Sequence, residues 1–392
     1  MGREKRGPAW VLLGLLPLLG LGVLLASILT NGVGVGRSDA PPVEDLTVGR
    51  VSLPTEHEFV VHVQNGGPNP VTLEQVVVND ALWDFRVQPD NRVPRLGSAE
   101  VVIPYTWVEG EAYEIVLISE TGTTFDAEVP VAVLTPGFSG ETFSSYALIG
   151  FYVGVVPVTL GLLWYPFLRR LGNEGLNFVL ALTVGLLIFL ALDTLLEGVE
   201  IASELPGAFS GVPMVILVAL LTLFALLGVE RLFQREGASR LATSYRIALG
   251  IGLHNLGEGL AIGAAFALGE AALGTFLILG FTLHNITEGV GIAAPVLKEK
   301  RPHFAHFAAL ALLGGGPAIV GTWIGGFAYS NLLTAVFLAV GVGAIVQVVY
   351  EVGRLLLRDS ARSKTPALSG TNLGGLTAGI AIMYVTALLV SV

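Results

Sequence analysis

"HNLGEGLAIG", residues 254–263, sits in an apolar segment spanning 245–268. Thirty residues later the chain nearly repeats it as "HNITEGVGIA", residues 284–293, inside a second apolar segment, 271–296. Each copy sets His, Asn and Glu where a lipid-compatible residue is expected. An ionisable side chain at the bilayer centre costs at least about 2.5–3.5 kcal/mol on insertion scales, so such residues face a cavity, a partner or an ion. His254 and Glu258 are spaced i,i+4, as are His284 and Glu288. On a helix each pair shares one face, with Cβ atoms about 5–6 Å apart. The short connection "LGEAAL" makes the two segments antiparallel neighbours, so the four side chains converge on one point.

Two neutral imidazoles and two carboxylates suit a borderline divalent ion, zinc first, with cadmium, iron or manganese also compatible. The ion's two charges offset those of the carboxylates. Asn255 and Asn285 follow the histidines and can add amide ligands or orient water. Gly257, Gly259, Gly263, Gly289 and Gly291 permit close helix packing. One motif on two antiparallel helices implies a pseudo-two-fold axis in the membrane plane, a symmetry that alternating-access transporters use around a midplane site. The plainer alternative is that each His–Glu pair only ties helices together. Two matched pairs at one depth favour a shared ion.

Composition agrees with a membrane setting. The chain has 392 residues, 53% of them hydrophobic and 13% charged, with mean hydropathy +0.73. Soluble proteins carry about 25% charged residues. The absence of cysteine excludes disulfides, thiolate metal sites and cysteine nucleophiles. A net charge of −10 gives no ground for a nucleic-acid partner.

The fold class expected is an all-α polytopic bundle of eight helices, preceded by an anchor helix and an all-β sandwich. Residues 1–30 have a basic head and an uncharged apolar run. Residues 8–29 are read as a retained anchor, because the run exceeds the core of about 7–15 residues found in signal peptides, with a cleaved signal peptide as the alternative. Residues 31–140 alternate apolar with polar in "HEFVVHVQN", "VTLEQVVVND", "SAEVVIPYTW", "YEIVLISETG" and "FDAEVPVAVL", which predicts short strands of a β-sandwich. Residues 141–392 hold eight apolar segments, at 146–168, 176–198, 211–233, 245–268, 271–296, 304–329, 331–356 and 371–391. Every Lys and Arg beyond residue 140 falls at one alternating set of loops or helix ends: Arg169, Arg170, Arg231, Arg235, Arg240, Arg246, Lys298, Lys300, Arg301, Arg354, Arg358, Arg362 and Lys364. By the positive-inside rule that set is cytoplasmic, and the β-domain and the C-terminus lie outside a multi-pass protein of the cell membrane.

At these residues the chain resembles the ZIP (Zrt/Irt-like) metal transporters, especially their bacterial branch. "HNLGEGLAIG" is similar to that branch's fourth-helix motif, His-Asn-x-Pro-Glu-Gly, and "HNITEG" to its fifth-helix counterpart. The likeness covers roughly 146–392 and is looser in "LALDTLLEG" and "GGGPAIVGTWIGG". It implies eight helices in a three–two–three arrangement, a main metal site of His254, Glu258, His284 and Glu288, and a flanking site at Asn255 and Asn285. The chain departs from the pattern at Gly257 and Thr287, where the motifs carry proline. It departs again at Asp193, Asn285 and Gly316, where relatives commonly carry histidine, aspartate and glutamate. Lacking two acids, the flanking site is expected not to fill, leaving one metal per transport event.

The expected function is therefore transmembrane movement of a divalent metal, with the inward direction implied by the resemblance alone. The metal is a transported substrate, and no catalytic or cofactor-binding residue is assigned. Candidate entrance groups are Asp193 and Glu197. Candidate exit or hand-off groups are Glu351, His303 and His306. Expected partners are the metal ion, the lipid bilayer and a second copy of the chain in a homodimer; the β-domain's partner is not specified. An intramembrane metal-dependent hydrolase and a ligand-binding receptor are the alternatives. The first lacks a His-Glu-x-x-His motif, and the second leaves the buried His/Glu pairs unexplained.

Overall fold

The computed structural model describes residues 8–31, 43–233, 239–298, 302–363 and 366–390. Arg235, Lys300, Arg301 and Lys364 of the alternating Lys/Arg set lie outside the described residues, as does the basic head. Helix α1, Pro8–Asn31, belongs to a unit separate from Val43–Val392.

Nine strands follow: β1 Leu46–Thr55, β2 Glu58–Asn65, β3 Val71–Val78, β4 Ala81–Trp83, β5 Arg86–Gln88, β6 Arg92–Val93, β7 Ser98–Ile103, β8 Tyr113–Ser119 and β9 Thr124–Val129. They form two antiparallel sheets in a sandwich-like pair, β1-β2-β7-β5 and β4-β3-β8-β9, with β6 beside β3. Period-2 alternation turns Phe59, Val61, Val63, Val101 and Ile103 of the first sheet inward, onto a core shared with Val76, Ile115 and Leu117 of the second. The five expected strands are all present. β1 is an addition: Gly49 shifts its register and Pro54 lies near its end, which breaks the alternation that marks the others.

Eight further helices carry the apolar segments: α2 Gly140–Leu168, α3 Asn173–Ser203, α4 Gly211–Phe233, α5 Arg240–Ala267, α6 Ala271–Ala293, α7 Phe304–Ala328, α8 Asn331–Ser363 and α9 Gly370–Val390. All eight are long and apolar enough to cross a membrane, for which about 20 residues are needed. Several begin before the apolar run does. Ser139 and Thr142 form a capping box that starts α2 at Gly140, and the Ser239 hydroxyl accepts from the Ala242 amide to start α5.

Two helices are irregular. α2 contains a widened π-helical turn over Phe151–Val155, followed by Pro157. α7 is broken at Gly316, and Pro317 opens its second half. The loops α3–α4, α5–α6 and α7–α8 meet the β-domain: a Cβ added at Gly66 would collide with Pro206, Gly269 lies against Val131 and Val133, and Tyr329–Leu332 line a cleft with β1, β2 and β7. The β-domain thus sits on the end of the bundle that carries these three loops.

Candidate metal centre

The repeated motif divides its work the same way in both copies. His and Glu face the space between α5 and α6. Asn pins a neighbouring helix: Asn285 Nδ2 donates to the Val153 carbonyl in the π-turn of α2 at 3.0 Å, and Asn255 Nδ2 donates to the Gly314 carbonyl beside the break of α7 at 3.0 Å. Each irregularity presents a backbone acceptor, and the motif asparagine takes it. The glycine after each glutamate then lets that helix approach. A Cβ at Gly289 would lie 2.3 Å from the Val158 carbonyl oxygen of α2, and one at Gly259 would lie 2.2 Å from the Ala318 carbonyl oxygen of α7. No larger residue fits either crossing without moving backbone. The α6–α2 and α5–α7 pairs are therefore built alike, as an inverted repeat requires.

At the centre, Oε1 of Glu258 meets Nε2 of His254 at 3.1 Å and Nε2 of His284 at 2.5 Å. Its Oε2 accepts from Asn285 Nδ2 at 3.0 Å. His254, Glu258 and His284 are buried, and each offers a ligand atom within 4.8 Å of the others; among the described residues this is the group of three or more such side chains that could hold a metal ion. Glu288, expected as the fourth ligand, is buried nearby but is not one of this group. Asn255 lies next to it, yet neither Glu288 oxygen completes a hydrogen bond. The Oδ1 atoms of Asn255 and Asn285 and the Nδ1 of His254 also make none. Buried polar atoms are nearly always satisfied, so this many in one place mark a site shaped for a further ligand. With both Nδ2 atoms committed to backbone, the asparagines offer only their amide oxygens.

A cavity of about 630 Å³ reaches the cluster from the β-domain end, lined by Asp193, Glu197 and Glu200 of α3 together with His254, Glu258 and His284. Asp193, Glu197 and Glu200, with Glu204 at the C-cap, follow at spacings of four, three and four, a single stripe along α3 and its end. The first two were expected as entrance groups; Glu200 and Glu204, readable from the same spacing, extend the stripe to the surface.

The other candidates lie toward the opposite end. Glu351 of α8 pairs with Arg246 of α5 at 3.2 Å, and Arg240 pairs with Asp359 at 2.8 Å, so two ion pairs join α5 to α8 there. His306 Nδ1 lies 2.9 Å from the Tyr245 hydroxyl, and His303 caps α7 by accepting from the Ala305 amide. None of these three joins the buried cluster.

The chain matches no protein-family model and no curated protein. Fold and site define a class: eight helices with the length and composition of membrane spans, and a buried His/Glu cluster of a size to hold a metal ion.

Proposed function

We propose that the chain is a divalent-metal transporter of the ZIP type, with zinc its first substrate and cadmium, iron or manganese alternatives. The observation that carries this reading is the Glu258 carboxylate bridging His254 and His284 near a buried Glu288 whose oxygens have no hydrogen-bond partner among the described residues. Two imidazoles and two carboxylates supply four donors of the kinds zinc takes. With a dication among them the group is electrically neutral, which lowers the cost of charge at that depth.

The substrate enters from the β-domain side along the acidic stripe of α3 and reaches the cluster through the cavity. That side lies, in this reading, outside the cell and the α5–α8 ion pairs inside, an orientation that the positive-inside rule supports. In this reading the helices adopt the three–two–three arrangement of that family, with α5 and α6 as the central pair, and movement is toward the cytoplasm.

The test is uptake of zinc, cadmium, iron and manganese by sealed vesicles containing the purified full-length protein. The reading expects saturable flux of at least one ion, lost in Glu258→Gln. Absence of flux for all four in protein that binds metal would overturn it.

A further inference from the structure

The first β-sheet carries a polar row that the metal site does not use. Arg50 pairs with His62, His62 with Glu100, and Glu100 with Gln88 across β1, β2, β7 and β5. Directly opposed residues share a face, so these four side chains stand together. One step along, Thr47, Gln64 and Ser98 form a second row on the same face. The other face holds Val61, Val63 and Val101 against the β-core. In a two-sheet domain the polar face ordinarily meets water. Here part of it faces the bundle, and with Leu205, Pro206 and Tyr329–Leu332 it lines an open cleft of about 580 Å³. Small-molecule sites measure about 300–1,000 Å³.

Arg50 is the unusual member. It is half-buried, and among the described residues its guanidinium makes no hydrogen bond and no ion pair. Burial pushes its pKa down, while Glu100 and Tyr329 act on it through space in the opposite sense. Glu100 is instead within 3.5 Å of His62 Nδ1. Arginine stays charged throughout the physiological range and presents five N–H donors in a planar fork. A half-desolvated fork lining this cleft has Glu100 acting on it only through space and lacks a directly hydrogen-bonded acceptor. The acceptor that matches the fork in shape and charge is a carboxylate, held through two parallel hydrogen bonds. The lining also holds the Glu100 carboxylate, which is drawn to His62, and the hydrogen-bonding groups of Gln64, Gln88, Ser98 and Asn331, with a Tyr329 phenol that burial, Glu204 and Glu270 push up to about 12 and so keep protonated. Such groups suit hydroxyls or amides.

We propose that this cleft binds a small polar organic acid, its carboxylate on Arg50 and its neutral polar groups on Gln64, Gln88 and Asn331. The site is distinct from the metal cluster and does not depend on the transport reading. Its occupant touches the β-domain and two bundle loops at once.

The test is titration calorimetry on the full-length, metal-free protein, with citrate, malate, glutamate and inorganic phosphate as separate probes at fixed ionic strength. At least one of the three carboxylates is expected to bind with one-to-one stoichiometry. Arg50→Gln should weaken it about tenfold or more, the scale of a lost charge-assisted pair, with Arg50→Lys in between. Gln88→Ala, on an exposed edge strand, should weaken it about threefold without threatening the fold. Glu258→Gln should bind the acid like the unmodified protein, which keeps this site separate from the metal cluster. Binding by none of the carboxylates, binding by phosphate alone, or carboxylate binding that survives both Arg50→Gln and Gln88→Ala would overturn the proposal.

Discussion

Nε2 of His284 lies 2.5 Å from Oε1 of Glu258, across the interface of α5 and α6. A contact this short between a ring nitrogen and a carboxylate needs a proton between them. A metal ion taking that nitrogen as a ligand must displace the proton.

Metal binding should therefore release protons and weaken in acid. With an ordinary imidazole pKa of about 6.5, affinity is expected to be lower at pH 5.5 than at pH 7.5. Calorimetry in buffers of different ionisation enthalpy reads the released protons directly. Equal affinity at both pH values would rule out imidazole ligands.

Glu288 and Glu258 should respond differently to amide replacement. The Glu288 oxygens make no hydrogen bond, so Glu288→Gln leaves the metal-free protein no less stable. Glu258 accepts from both imidazoles and Asn285, and Glu258→Gln is expected to cost about 1–3 kcal/mol in the metal-free form. Both substitutions should abolish the metal-induced rise in thermal midpoint, which for the unmodified protein corresponds to about 2.7 kcal/mol at a hundredfold excess over Kd. A midpoint rise retained in Glu288→Gln would remove Glu288 from the ligand set.

Much of the site was legible because helical spacing is local. His254 and Glu258, and His284 and Glu288, sit at i,i+4 in antiparallel neighbours; the structure brings His254, Glu258 and His284 into one group and leaves Glu288 buried outside it. The role of each asparagine and glycine was not legible in the same way. It depends on which foreign carbonyl arrives, Val153 or Gly314 for the asparagines and Val158 or Ala318 for the glycines, and no local pattern states that. Strands with clean alternation were readable. β1 is not, since a bulge at Gly49 erases its period, and with it any local signal that Arg50 faces His62. The ion pairs Arg246–Glu351 and Arg240–Asp359 join residues more than a hundred positions apart and had no signature beyond charge.

The polar row of β1, β2 and β7 makes a separate electrostatic prediction. Burial lowers the pKa of His62, Arg50 lowers it further, and Glu100 opposes them. Its NMR titration midpoint should fall below about 6.5, the unfolded value. Arg50→Gln should raise that midpoint and Glu100→Gln should lower it. The unfolded chain takes the proton first, so His62 costs no stability above that pH and an increasing amount as pH falls toward its folded midpoint. A midpoint unmoved by Arg50→Gln would place the guanidinium elsewhere.

Orientation is checked with cysteine, which the chain lacks. Ser203 and Ser239 are exposed at opposite ends of the bundle. In intact cells a cysteine at 203 should react with an impermeant reagent and one at 239 should not. Replacing the Ser239 cap costs about 1 kcal/mol, so its labelling is also read after permeabilisation. Reaction at 239 alone in intact cells would invert the bundle.

Asn285→Asp tests how many metals the centre takes. In the unmodified protein Asn285 Nδ2 donates to Val153 and to Glu258 Oε2 at 3.0 Å each. An aspartate cannot donate to either, and it would set a carboxylate against that of Glu258 in a buried site. Like charges so placed repel strongly at low dielectric. The metal-free variant should lose roughly 3–5 kcal/mol, the scale for an uncompensated buried charge. A cation relieves both faults, so the metal-induced rise in thermal midpoint should exceed that of the unmodified protein. The added acid also supplies the negative charge that a second dication needs beside the first, charge that two neutral asparagines and Gly316 do not offer. Anomalous scattering should therefore show one metal per chain in the unmodified protein and two in Asn285→Asp. Two fully occupied metals in the unmodified protein would overturn the single-ion centre, because Glu258 and Glu288 alone would then be neutralising four positive charges.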